Sequence, residues 1–150
     1  MTAVVELGAD AVHDLRRRVL RDGDRGADLD WAGDHDATTI HLGVVDPTGS
    51  VLAVSTWLRS PCPLDPTQPA VQLRGMATDP AHIGTGLGSL LLAEGLRRAS
   101  DVELVWANAR VTAIAFYERH GWTTNGPEFV TVDTGLPHRL VTCRPERSHI

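Results

Sequence analysis

Residues 82–89 read HIGTGLGS, and the apolar run LLLAEGL follows at once. The strand-like VQLRGMAT stands just upstream, closed by Asp79-Pro80. Gly84, Gly86 and Gly88 thus sit at alternate positions between a strand and a helix. No other feature constrains the fold as much. The first N–H groups of a helix have no partner within it, and the helix dipole adds partial positive charge there. Glycines remove the Cβ atoms that would hold an anion away. The stretch predicts an anion site in an α/β unit. A flexible turn before a tightly packed helix start is the other reading, and the glycines alone do not separate the two.

Spacing removes two nucleotide motifs. A P-loop ends in Gly-Lys-Ser/Thr, whereas Ser89 and Leu90 follow Gly88 here. The dinucleotide fingerprint needs Gly or Ala at position 89, where serine stands.

Around this unit the pattern alternates between strands and helices. VVEL (4–7) is strand-like, and in ADAVHDLRRRVL the residues Val12, Leu15 and Val19 recur at helical spacing, with Asp10 placed to help cap the start. RDGDRGADLDWAGDHD carries Asp22, Asp24, Asp28, Asp30, Asp34 and Asp36 and reads as a loop with a short helix near Trp31. TTIHLGVVD and VLAVSTWL form a hairpin about Pro47-Thr48-Gly49. SPCPLDPTQP has four prolines in ten residues and is a loop, because proline has no N–H for a sheet interior. Helices are expected over Gly86–Ala99 and in VTAIAFYERHG, where Gly121 suits a left-handed end. VELVWAN between them is a short buried strand, and EFVTVDTG and HRLVTCR are the last two. The fold class is α/β: a mixed twisted sheet, centrally antiparallel and partly parallel, flanked by helices. The 150 residues are expected to make one domain, 1–150.

Composition narrows the function. The net charge is −5, which gives no global field for nucleic acid or an anionic membrane. No apolar run reaches membrane-spanning length. Cys62 and Cys143 show no metal-ligand spacing, so neither a metal site nor a disulfide framework is expected. The start of the chain lacks the pattern of a secretory signal, and a cytoplasmic protein with free thiols is expected.

Two motifs in order resemble the GNAT acetyltransferase superfamily. MATDPAHIGTGLGSLLL is similar to its Arg/Gln-x-x-Gly-x-Gly/Ala signature, with Gly86-Leu87-Gly88 as the final Gly-x-Gly. NARVTAIAFYERHGW is similar to its later motif, through Asn108, Ala113, Tyr117, Gly121 and Trp122. The resemblance covers roughly residues 39 to 124. The tail resembles a bacterial branch ending in a Gly-x-Pro-His turn, here Gly135 to His138. One departure is Ile83, which stands at the Arg/Gln position and has no side-chain donor.

The resemblance implies an N-acetyltransferase that moves an acetyl group from acetyl-CoA to a primary amine of a small molecule or protein, by direct attack in a ternary complex. It implies that Met76, Ala77 and Thr78 pair with the pantetheine arm like an added strand. Ile83, Gly84, Thr85, Gly86, Leu87, Gly88 and Ser89 would take the pyrophosphate, and Asn108 would bond the pantetheine. Tyr117 would protonate the departing thiolate. A homodimer is also implied, with no interface legible. The general base stays open. The glutamate of the histone-modifying members falls on Gln72, which takes no proton, and Glu103, Glu128, His41, His138 or a water chain are the replacements. On the acceptor side the aspartates could attract a cationic amine or simply face solvent. Trp31 and Trp57 are pocket or core. An acyl-CoA-binding module with little activity is the alternative, to which Ile83 and Gln72 lean.

Overall fold

The computed structural model describes residues 2–132 and 134–145. Seven strands form one sheet in the order β1-β2-β3-β4-β5-β7-β6. They are β1 (Ala3–Leu7), β2 (Ile40–Val45), β3 (Val51–Arg59), β4 (Ala70–Thr78), β5 (Leu104–Arg110), β6 (Thr123–Val130) and β7 (Pro137–Cys143). Tight turns make their neighbours antiparallel. The β2–β3 turn is closed by Asp46, whose carboxylate accepts from the N–H groups of Thr48 and Ser50. β4 and β5 are joined through a helix and run parallel. The mixed sheet expected from the sequence is thus observed, and VELVWAN is a strand that begins later and runs on to Arg110.

The helical segments depart further from expectation. Residues 9–20 form a 3-10 turn (Ala9–Val12), one α turn (α1, His13–Leu15) and a π turn (Arg16–Leu20). Gly8 stands at the N-cap, and no side chain caps the start, so Asp10 does not take that role. Val12 and Leu15 are buried as their spacing predicts, but so is Arg16. The loop after this segment is a chain of turns without a helix at Trp31. The helix after the glycine stretch, α2 (Leu87–Arg98), starts and ends one residue inside the expected Gly86–Ala99, which supply its caps. VTAIAFYERHG opens as a 3-10 turn and becomes helix α3 (Ile114–Arg119), and Gly121 has φ +85° just past it. The expected strand EFVTVDTG starts earlier, as β6, and ends at Val130; Asp133 lies outside the described residues.

Two layers of core flank the sheet. On one face Trp57, Leu73, Val105, Ala107 and Val141 pack against Leu87, Leu91 and Leu92 of α2 and against Tyr117 and Trp122. On the other, Val54 and Ala77 pack against Val12 and Leu15. Alternation along each strand therefore sorts side chains by face. In β5 the residues Val105, Ala107 and Ala109 face the helices, while Trp106, Asn108 and Arg110 face the other side.

α2 lies close on the sheet because Gly95 meets the Trp57 ring. A Cβ built at Gly95 would stand 1.8 Å from Trp57 Cζ2. Trp57 is held by its indole N–H, which donates to Ser55 Oγ at 2.9 Å, so the ring has nowhere to go. Trp57 is therefore core, not pocket. Gly95→Ala is expected to lower unfolding free energy in urea by about 3 kcal/mol, the upper range for overpacking, despite alanine's better helix propensity. A smaller companion change, Trp57→Phe, should recover part of that loss.

Candidate functional site

The sheet splits at its parallel pair. β4 and β5 pair over three rungs, Ala70–Leu104, Val71–Val105 and Gln72–Trp106, and then separate. A bulge sharpens the split. Between the β3 partners of Arg74 and Ala77 lies one residue, Ser55, but β4 places two, Gly75 and Met76. Gly75 takes φ +64°, which a side chain rarely adopts, and its bare α-carbon lets Trp31 and Arg16 close on β4.

A cavity of about 380 Å³ fills the split. Its wall holds Tyr117, Ala107, Ala109 and Ala113 from the helical face and Asn108, Arg110, Trp31 and His138 from the opposite face. It therefore passes through the plane of the sheet. Tyr117 is buried, and its hydroxyl has no hydrogen-bond partner among the described residues. Burial pushes its phenol above the ordinary tyrosine value, so it is protonated at neutral pH. Phe116 and Trp122 hold the ring edge-on, at centroid distances of 5.4 and 5.1 Å.

A second cavity of about 520 Å³ adjoins on the helical face and shares Met76 with the first. Thr78, Ile83, Gly84, Gly86, Leu87, Gly88 and Ser89 line it, with Arg119 and His120 opposite. From Gly84 to Ser89 no backbone N–H donates to a described backbone oxygen. Gly84 and Gly86 have φ of +83° and +87°, and a Cβ at either would meet nothing within 4 Å. Gly88 differs: its Cβ would stand 3.1 Å from the Phe116 ring, so it serves the approach of α3 to α2. The packing reading of the glycines thus holds at Gly88, while Gly84 and Gly86 are open. His120 Nδ1–H donates to Phe116 O at 2.8 Å, which leaves Nε2 to accept from Ser89 Oγ at 2.8 Å.

Two of the residues assigned to the cosubstrate, Thr85 to the pyrophosphate and Ala77 to backbone pairing with the arm, turn their side chains elsewhere. Thr85 turns its hydroxyl to His82 O, and Ala77 faces the opposite core. Ile83 is 69% exposed and points an alkyl chain outward.

The proton-acceptor candidates separate cleanly. His41 is buried and fully used: Nε2–H donates to Asp34 O at 2.9 Å, so Nδ1 accepts from Thr56 Oγ1 at 2.8 Å. Glu103 precedes β5 at the closed end of the split, and Glu128 is exposed on β6; neither lines the cavity. Gln72 lines it at the last paired rung. His138 also lines it, donating Nδ1–H to Leu136 O at 2.8 Å and leaving Nε2 without a described partner.

The acidic loop has a role that its composition hid. Asp34 is buried, and its carboxylate accepts from Arg16 at 2.6 and 3.2 Å, from Arg74 at 2.8 Å and from the Trp31 N–H at 2.7 Å. Arg16 also donates to Leu29 O and Thr56 Oγ1, and its guanidinium stacks 3.7 Å from the Trp31 ring centroid. The pair locks Trp31 into the cavity wall. Asp30 pairs instead with His13 and His35. None of the six aspartates at 22–36 lines the cavity. Sequence reading missed Arg16, because nothing local distinguishes it from Arg17 and Arg18.

A seven-stranded mixed sheet, split at its parallel pair beside a bare helix start, is the architecture of acyl-CoA N-acyltransferases. The model of the acetyltransferase (GNAT) domain matches residues 43–124, and the chain belongs to that family. It is an acyltransferase. It is 30% identical to YitI, an uncharacterized N-acetyltransferase of Bacillus subtilis, across 86% of this chain and 87% of that one. Among solved structures, an acyl-CoA N-acyltransferase from Pseudomonas aeruginosa superposes with a TM-score of 0.74 at 20% identity, covering 95% of this chain and 99% of that one. A structure from Corynebacterium glutamicum, described as histone acetyltransferase HPA2 and related acetyltransferase, gives 0.72 at 19% identity over 99% of each chain. Membership implies an acyl-CoA cosubstrate and an acceptor. No helix among the described residues is long and apolar enough to cross a membrane.

Burial pushes the Asp34 pKa up from the ordinary 3.8, but the Arg16, Trp31 and Arg74 hydrogen bonds outweigh it and hold it at about 2. The folded state thus favours the carboxylate. Its contribution, about 2 kcal/mol, is present above pH ~4 and lost as pH falls through 2. Urea unfolding from pH 5 to 2 should show this loss. Asp34→Asn, which leaves Arg16 buried and unpaired, should lower stability at pH 7 by about 3–5 kcal/mol and remove that part of the acid dependence.

Proposed function

We propose that this chain, as a single domain over 1–150, transfers an acetyl group from acetyl-CoA to a primary amine by direct attack in a ternary complex. The observation that carries this is the adjacency of the two cavities, which share Met76. A run of unpartnered N–H groups opens, past Met76, onto a split in the sheet where an unpaired tyrosine hydroxyl waits.

The groups present suit an acyl-CoA. The N–H groups of Gly84 to Ser89 would receive its pyrophosphate, with space where side chains at Gly84 and Gly86 would stand. Main-chain donors suffice there, so Ile83 costs no contact that the backbone does not make. The edge of β4 at Met76 to Thr78, unpaired toward β5, offers strand-like bonding to the amides of the pantetheine arm. Asn108 lies across the split from it on β5.

In the transfer, the neutral amine forms a bond to the thioester carbonyl carbon as the carbon–sulfur bond breaks. Tyr117 gives its proton to the departing sulfur. Burial raises the cost of a phenolate, and the same dry cavity raises that of a thiolate, so the transfer stays feasible. His138 Nε2, with Nδ1–H tied to Leu136 O, receives the proton that the amine nitrogen sheds.

The test is calorimetric titration with acetyl-CoA beside Gly86→Glu and Gly86→Ala. Both variants strain a left-handed position, but only Glu puts a carboxylate in the cradle. Micromolar binding lost with Glu and largely kept with Ala supports the reading; binding indifferent to Glu overturns it. Tyr117→Phe should lower kcat by about 100-fold or more while leaving the acetyl-CoA Kd within about twofold. Binding without turnover on any amine would favour the acyl-CoA-binding module instead.

A further inference from the structure

The acceptor side of the cavity is built from cations. Arg21, Arg74 and Arg110 line it, together with His138, Thr131 and Thr134, and no described Asp or Glu does. This holds in a chain whose net charge is −5. The arginine-rich lining is therefore a property of the site and not of the composition.

The guanidinium groups differ in how far their partners engage them. Arg74 is committed to Asp34 and to Ala32 O. Arg21 donates to Leu20 O, and its guanidinium stands 5.0 Å from the Trp31 ring centroid. Arg110 donates one N–H to Leu20 O at 3.2 Å, and its other N–H groups have no described partner. Asp34 is the nearest buried carboxylate in this network. It already accepts from both Arg16 and Arg74, so it does not balance Arg110.

Arg110 is also well placed. It is the last residue of β5, and its register partner across the sheet is His138. Partnered residues of adjacent strands project to the same face. Arg110 and His138 thus stand side by side on the face opposite Tyr117's helix. A polyamine would meet no carboxylate among the described lining residues and would face the Arg110 guanidinium. An anion at Arg110 would instead find a planar donor fork in a partly desolvated wall.

We propose that the acceptor is a small amine that also carries an anionic group, a carboxylate or a phosphate, held by Arg110 so that its amine reaches His138 and Tyr117. The proposal rests on the acetyl-transfer reading, whose second substrate it names.

The experiment measures binding of acetylated products to the CoA-loaded protein, so that it does not depend on turnover. N-acetylglycine is titrated beside its uncharged amide, and N-acetylphosphoethanolamine beside N-acetylethanolamine, followed by calorimetry and by intrinsic tryptophan fluorescence. At least one anion should bind tenfold or more tighter than its neutral partner. The pair showing it tells carboxylate from phosphate. Arg110→Gln should erase that preference while leaving CoA affinity and melting temperature within error, and Arg110→Lys should retain part of it. Equal binding within both pairs, or a preference that survives Arg110→Gln, overturns the proposal. Anion preference without transfer to any amine would leave an anion site at Arg110 but sink the acetyltransferase reading and the acceptor assignment with it, whereas transfer without anion preference would overturn this proposal alone.

Discussion

The parting of β4 from β5 governs the molecule. A parallel pair that separates after three rungs leaves backbone N–H and C=O groups facing each other across a gap. Unmade backbone bonds inside a protein are costly, so such a split persists only where something outside the chain completes them. The bulge at Gly75, the bare α-carbons at Gly84 and Gly86 and the close seat of α3 against Gly88 all serve the same end. They hold open a slot of strand-like shape with a positive rim at one end. The family uses an acyl-CoA, and in the function proposed above that molecule completes the split.

Keeping the slot open requires a rigid wall, and the wall is electrostatic. Arg16 leaves the π turn, crosses beneath Trp31 and ends between Asp34 and Thr56, with His41 closing the network behind. Hydrophobic side chains could fill the same volume at no loss of stability. They would not fix the indole in one orientation. The guanidinium does so with a ring face on one side and a carboxylate on its edge. The arrangement trades stability for definition at a place where a ligand must fit.

The sequence made some of this readable. The glycine stretch declares itself because its physics is local: a strand, a bare turn and a helix start lie within twenty residues. Tyr117 above Ala113 is legible for the same reason, one helical turn apart. The Arg16–Asp34 pair is not, because its partners lie 18 residues apart in a segment with many arginines and aspartates. Burial alone selects among them. His138 stood level with Glu103, Glu128 and His41 as a proton acceptor, and only the pairing of β7 with β5 separates it from them. β6 starts at Thr123, before the expected EFVTVDTG, and runs on through Gly126 and Pro127 at a register shift within the strand.

A gap that passes through the plane of a sheet has two mouths. One opens beside the glycine turn on the helical face; the other opens among Trp31, Arg110 and His138 on the far side. In the proposed transfer, two molecules meeting at Tyr117 would arrive by separate doors, so neither would block the other's path in or out. Binding order is then set by affinity and concentration, not by architecture. The turnover of such a protein can be paced by whichever product leaves its own door last.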